Sequence, residues 1–195
     1  MKKRSRAVVV LGYVGLEGTA ILAKSYKNQI DSHYPLYLSR NAVQLAEYSV
    51  SNARIIREIA EKYLKRNKSA GSDCGLEEVV VNIDRGGFLA AMWELAKVAG
   101  EGFTVDLRKV PMKQETVEIC ELLEVNPYKL LSKGTIIAIV DDGLLLKEEL
   151  EKAGMECVII GYTNSSKAHI LMNDGTESHL NRPEPDELER LGICP

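Results

Sequence analysis

Short apolar runs alternate with amphipathic stretches along this chain. The β-branched run within 6–14, RAVVVLGYV, packs well on a pleated surface and predicts a first strand. Val79, Val80 and Val81 predict a second, the alternating 102–107 a third, 134–140 a buried fourth and 156–162 a fifth. Segments 168–172 and 177–180 flank Asn173-Asp174-Gly175, a strong hairpin signal. Helical spacing predicts helices at about 19–30, 39–48, 51–65, 88–99, 114–123 and 144–153. In 51–65, Ile55, Ile56, Ile59, Ala60 and Tyr63 mark one face, with Arg54, Arg57, Glu58, Glu61 and Lys62 on the other. Tyr34-Pro35 breaks the chain, 67–75 reads as a flexible polar loop, and Asn126-Pro127 starts a helical turn. Pro183 and Pro185 introduce a short final helix. Mixed strands and helices closing on a hairpin predict an α/β or α+β layered fold. With no repeat, low-complexity tract or boundary, 1–195 reads as a single domain.

The most informative stretch joins the second strand to its helix. Asn82-Ile83-Asp84 ends the strand, and Gly86-Gly87 admits backbone angles closed to other residues. Phe88, Met92, Leu95 and Ala99 then follow at helix spacing, and Gly100 and Gly102 supply stop signals. Such a turn points backbone N–H groups beyond the strand's carboxyl end, which suits a phosphate or another anion. Arg85 adds a fixed charge with planar donors. The other reading is a tight strand-to-helix connection and nothing more. The glycines at 12, 15 and 18 do not have the spacing of a dinucleotide fingerprint. Glu17 either points into a cleft or sits exposed at a helix start, favoured by the dipole.

Residues 82–87, NIDRGG, followed by Ala90-Ala91-Met92-Trp93-Glu94-Leu95-Ala96, resemble the D-x-T-R/E-G-G…A-L-x-E-L-A signature. That signature belongs to the C-terminal domain of the aminoimidazole ribonucleotide synthetase (PurM-type) superfamily. The superfamily includes the hydrogenase-maturation protein HypE, selenophosphate synthetase and thiamine-monophosphate kinase. The likeness to its HypE-like, AIR synthase-related branch runs further. Residues 12–23 resemble that branch's opening G-x-x-G-L-E-G-T segment. Residues 110–116, 126–128, 132–134 and 183–188 follow in the expected order, and only 36–76 match loosely. The chain departs where the signature's leading Asp is Asn82 and its Thr is Asp84, which puts Mg²⁺ or phosphate handling at this turn in doubt.

The resemblance implies a mixed sheet with helices on its faces, with a helical segment at about 39–66 packed on one side. It implies a lobe that binds an anionic substrate or phosphate group. That lobe assists ATP-dependent activation of an amide-like substrate, as in synthetases or dehydratases of the hydrogenase-maturation type. Arg85, Gly86 and Gly87 would hold the anion, beside Asn82 and Asp84; Gly15, Glu17 and Gly18 would line the facing wall. Family enzymes carry an N-terminal lobe with an acidic Mg·ATP site, and this sequence starts where that lobe would have ended. Catalysis is therefore expected to be incomplete alone. ATP and Mg²⁺ enter only if a partner protein supplies that lobe, and an uncovered apolar face predicts a homo-oligomer or such a partner. The alternative is a non-catalytic interaction or small-ligand-binding module, or a truncated remnant.

Composition narrows the classes. Apolar content of 45%, charge of 27% and 195 residues are ordinary globular values. A net charge of −3 points to neither nucleic acid nor an anionic membrane. Residues 2–6, KKRSR, read as a solvated end, and apolar 7–11 is too short for a signal core or a span. Cys74, Cys120, Cys157 and Cys194 form no C-x-x-C pair and read as free thiols in the cytoplasm, Cys120 and Cys157 in the core. His33, His169 and His179 have no partner at motif spacing and read as surface or structural. Asp141-Asp142 reads as a helix cap rather than a metal site. Proteins of the HypE type end in an exposed P-R-I-C cysteine that carries a carbamoyl group. Here Ile193-Cys194 is similar, but Leu191-Gly192 replaces Pro-Arg and Pro195 lies beyond, so a functional tail and a chance cysteine stay open.

Overall fold

The computed structural model describes residues 5–69 and 79–194. The elements are, in order, β1 (Ala7–Leu11), α1 (Leu16–Ser25), α2 (Lys27–His33), α3 (Leu36–Ser69), β2 (Val79–Ile83) and α4 (Gly87–Ala99). Then come β3 (Gly102–Asp106), α5 (Gln114–Leu122), β4 (Thr135–Val140), α6 (Gly143–Lys152), β5 (Cys157–Asn164), β6 (His169–Asn173), β7 (Thr176–His179) and α7 (Glu187–Arg190). All seven strands join one mixed sheet in the order β2-β4-β1-β5-β3-β6-β7. Among the described strands only β3 and β6 pair in parallel. This is the layered α/β arrangement expected.

Strand alternation explains why β1 and β4 are buried along their whole length. Successive side chains point to opposite faces, and both faces are covered. Val8 and Val10 pack with Phe88, Met92 and Leu95 of α4. Val9 and Leu11 pack with Ile56, Ala60 and Tyr63 of α3 and with Leu146 and Leu150 of α6. A third cluster joins Leu22, Ile30, Leu38, Ala42, Ile119 and Leu130, beside the sheet.

Several boundaries differ from the sequence pattern. The helix expected at 19–30 opens at Leu16 behind Gly15, whose φ is 82°, and stops at Ser25. Tyr26 leaves helical geometry at φ −112°, and α2 then restarts. The two helices expected at 39–48 and 51–65 are one, because no Gly or Pro interrupts 36–69. That helix takes in 67–69 of the expected polar loop, and 70–75 lie outside the described residues, as does Cys74. Its buried seam is narrower than the apolar pattern. Ile56, Ala60 and Tyr63 are buried, whereas Ile55 is exposed along with Leu36, Tyr37, Tyr48 and Val50. Arg6 is not part of a solvated end. It is buried, with Nε 3.4 Å from Glu101 Oε2.

Other readings hold. Asp174 and Gly175 have φ of 47° and 78°, the left-handed pair a tight hairpin demands. Asp142 caps α6 by accepting the Leu145 N–H at 3.0 Å. Among the described residues no helix is long and apolar enough to cross a membrane.

Cys120 and Cys157 are buried and Cys194 is exposed. Burial pushes both core thiols up to about 12. The thiolate is the reactive species, so iodoacetamide at pH 8 is expected to label Cys194 in the native protein. Cys120 and Cys157 should label only after denaturation, as read by peptide mass spectrometry. Equal native labelling of all three would contradict this packing.

Candidate functional site

β1 and β2 both run antiparallel to β4, which lies between them. Their carboxyl ends therefore share one end of the sheet. The turn 12–15 leads from β1 into α1 there, and 84–86 leads from β2 into α4. The segment 126–134 reaches the same end before β4, where Leu11 pairs with Ile136 and Ile83 with Thr135. The fold thus brings both turns to one end of the sheet, and Gly15, Glu17, Gly18 and Gly87 touch this segment directly.

The second turn is closed by the chain itself. Gly86 and Gly87 have φ of 75° and 63°. A Cβ on Gly87 would lie 2.7 Å from the carbonyl oxygens of both Tyr128 and Leu130. The Gly86 N–H donates to Asp186 Oδ2 at 2.8 Å, and the Gly87 N–H to the Asp84 carbonyl at 3.1 Å. Asp186 is buried and uses its other oxygen, Oδ1, to cap α7 through the Leu188 N–H at 3.0 Å. Arg85, largely exposed, reaches Glu189 Oε1 at 3.5 Å. Asn82 and Asp84 are exposed. The turn thus meets two carboxylates, both from the last helix.

The first turn is packed from the other side of the same segment. The Gly15 N–H donates to Ser132 Oγ at 2.6 Å, and the Gly18 N–H to the Leu131 carbonyl at 3.0 Å. A Cβ on Gly18 would overlap the Leu130 side chain. Thr19 Oγ1 donates to the Gly15 carbonyl at 2.7 Å and accepts from the Thr116 hydroxyl at 2.9 Å. Glu17 pairs with Lys133 at 3.1 Å. Beside this turn, the Lys113 ammonium lies 3.9 Å from the Tyr13 ring centroid and 5.3 Å from that of Tyr48, a cation–π arrangement. Burial, with the hydrogen bond to Glu156, pushes the Tyr13 hydroxyl up to about 12.

Residues 4–172 match the family described as AIR synthase related protein, C-terminal domain. The chain belongs to that family. The AIR synthase-related chain is 32% identical over 82 residues to the carbamoyl dehydratase HypE of Rhizobium leguminosarum bv. viciae, covering 40% of this chain and 23% of that protein. It is 24% identical to a putative hydrogenase expression/formation protein of Methanocaldococcus jannaschii, covering 95% of this chain and 50% of the relative. It therefore spans half or less of these curated relatives. In fold it resembles E. coli HypE, a hydrogenase maturation protein, with a TM-score of 0.63 at 18% identity over 95% of this chain and 52% of that one. HypE solved in complex with ATP gives 0.56 at 15% identity over 95% and 52%.

The AIR synthase-related fold also recruits residues that sequence reasoning did not assign. Asp186 and Glu189 close the glycine turn, and Ser132, Lys133 and Lys113 brace the other wall. Asp186 was legible as a helix start and Ser132-Lys133 as part of an ordered motif. Nothing local linked them to turns that lie up to 117 positions away. His33 Nδ1 meets the Gln29 carbonyl of its own helix at 2.9 Å, whereas His169 Nε2 meets the Glu101 carbonyl, far along the chain, at 3.2 Å.

Proposed function

We propose that this chain is a HypE-like lobe that holds an anionic substrate or phosphate group. It would assist ATP-dependent activation of an amide-like substrate together with a separate nucleotide-binding lobe. The observation that carries this reading is the pairing of Gly86 N–H and Arg85 with Asp186 and Glu189. Donors aimed at carboxylates are donors for which an external anion competes, and charge-assisted contacts are the strong ones. Asn82 and Asp84 stand exposed beside them. Among the described residues no group of three His, Cys, Asp or Glu side chains is placed to hold a metal ion. Mg²⁺ would therefore arrive with its nucleotide on the other lobe, which lies on the same polypeptide or a partner.

Calorimetric titration with Mg·ATP to millimolar concentration tests the reading, with the chain alone and with the N-terminal lobe of a HypE added. Saturable binding is expected, and Arg85→Ala should weaken it by about 1–3 kcal/mol, the range for a charge-assisted contact. Undiminished affinity in Arg85→Ala, or no heat in either arrangement, would overturn it.

One observation favours a second reading, a non-catalytic interaction or small-ligand-binding module. The Gly86 N–H is already satisfied by a buried carboxylate that also caps α7. In that case the turn is a docking point for the last helix, and Arg85→Ala lowers stability slightly without any effect on nucleotide.

A further inference from the structure

An open cleft of about 360 Å³ lies between the start of α4, the turn at 126–129 and the β6–β7 hairpin. That volume is within the range of small-molecule sites. Its surface divides by chemistry. Leu89, Ala90, Leu107, Leu171 and Leu180 supply an apolar floor. Asn173, His179, Asn181, Arg182 and Lys129 supply donors around it.

The charge balance of the cleft is opposite to that of the chain. The protein carries −3 overall. Of the residues lining the cleft, Lys129 and Arg182 are cationic and Glu184 alone is acidic. Glu184 is taken up by Lys129 at 2.6 Å. Arg182 is exposed at the rim of the apolar floor, and no ion pair is seen for it among the described residues, so its guanidinium is open to an incoming anion. A planar guanidinium in such a place matches a phosphate or carboxylate.

Arg182 is also well placed. It sits on a short strap tied at both ends. The Leu180 N–H donates to the His169 carbonyl at 2.9 Å, and Asp186 holds the Gly86 N–H. Pro183 and Pro185 stiffen the span between these ties. Lys129 is set by a turn capped by Asn126, whose Oδ1 accepts the Tyr128 N–H at 3.0 Å. The Tyr128 hydroxyl is fixed on the Leu107 carbonyl at 3.0 Å.

We infer that this cleft binds a small organic anion. Its acidic group meets Arg182 and Lys129, displacing Glu184 from the lysine, and its apolar or aromatic body lies on Leu89, Leu171 and Leu180. The site is independent of the nucleotide reading above: Gly86 borders it, but Arg85 takes no part.

Calorimetric titration of the whole chain with phenyl phosphate, benzoate and inorganic phosphate tests this. Saturable millimolar binding of phenyl phosphate or benzoate is expected, and the tighter of the two identifies the acidic group. Inorganic phosphate should bind at least 10-fold more weakly, because it leaves the floor uncovered. Arg182→Glu should reduce the affinity at least 10-fold and Lys129→Gln several-fold, with unchanged circular dichroism. No saturation by either aromatic anion overturns the site, as does binding that survives Arg182→Glu. Loss of binding in Arg85→Ala but not in Arg182→Glu would move the anion to the glycine turn and overturn it equally.

Discussion

Replacing Glu101 with alanine is expected to destabilise the protein by about 3–5 kcal/mol, the cost of breaking a buried ion pair from one side. Glu101 and Arg6 are both buried, with Oε2 and Nε 3.4 Å apart. They join the start of β1 to the approach to β3. The Arg6 backbone is held too, its N–H donating to Thr163 Oγ1 at 2.9 Å. Truncating the glutamate takes a carboxylate away from a buried guanidinium that cannot lose its proton. Urea unfolding measures the change. The double variant Arg6→Leu/Glu101→Leu should cost less than Glu101→Ala alone, because it removes both charges. A single-variant cost below about 1 kcal/mol, the range of an exposed pair, would contradict a buried pair here.

Gly87→Ala should cost about 2–4 kcal/mol. About 1–2 comes from placing a side chain at φ 63°. The rest comes from overpacking, since backbone oxygens of Tyr128 and Leu130 would stand 2.7 Å from the new Cβ. Gly100 provides the control. Its φ is 61°, but nothing lies within 4 Å of an added Cβ, so Gly100→Ala should carry only the conformational part. Equal costs at the two positions, measured by denaturant unfolding, would show that close packing on 128–130 is not what demands glycine at 87.

That pair of glycines shows where sequence reading succeeds and where it ends. Both were visible as punctuation. One ends a helix in open space, and the other seats a helix against a segment some forty positions further along. Local pattern predicts the backbone angle and is silent about what arrives from elsewhere. The same holds for the site. Gly15, Gly18, Gly86 and Gly87 were legible, while Ser132, Asp186 and Glu189 were not linked to them, because their partners are chosen by topology. The strands were the most legible elements, since β-branched runs such as Val8-Val9-Val10 have little alternative use. Their order was not, because the runs carry no mark of their neighbours. The pattern divides helix α3 into 39–48 and 51–65. No Gly or Pro stands between those ranges, so the helical backbone runs on through 49–50. Arg6 was misread for the opposite reason. A basic run suggests solvent until a carboxylate from far along the chain claims one member of it.

The central position of β1 bears on how the molecule is made. Val8 pairs with Ile139 on one side and with Gly161 on the other. At about 5–20 residues per second, a ribosome that has released 7–11 needs on the order of ten seconds to deliver both neighbours. Until then the nascent chain carries an unpaired, wholly apolar strand. Helices α1 to α3 can form locally in that interval, but the sheet cannot close. Such long-range pairing slows folding and leaves the early strand open to wrong partners, so synthesis of this chain should lean on chaperones that hold extended apolar segments.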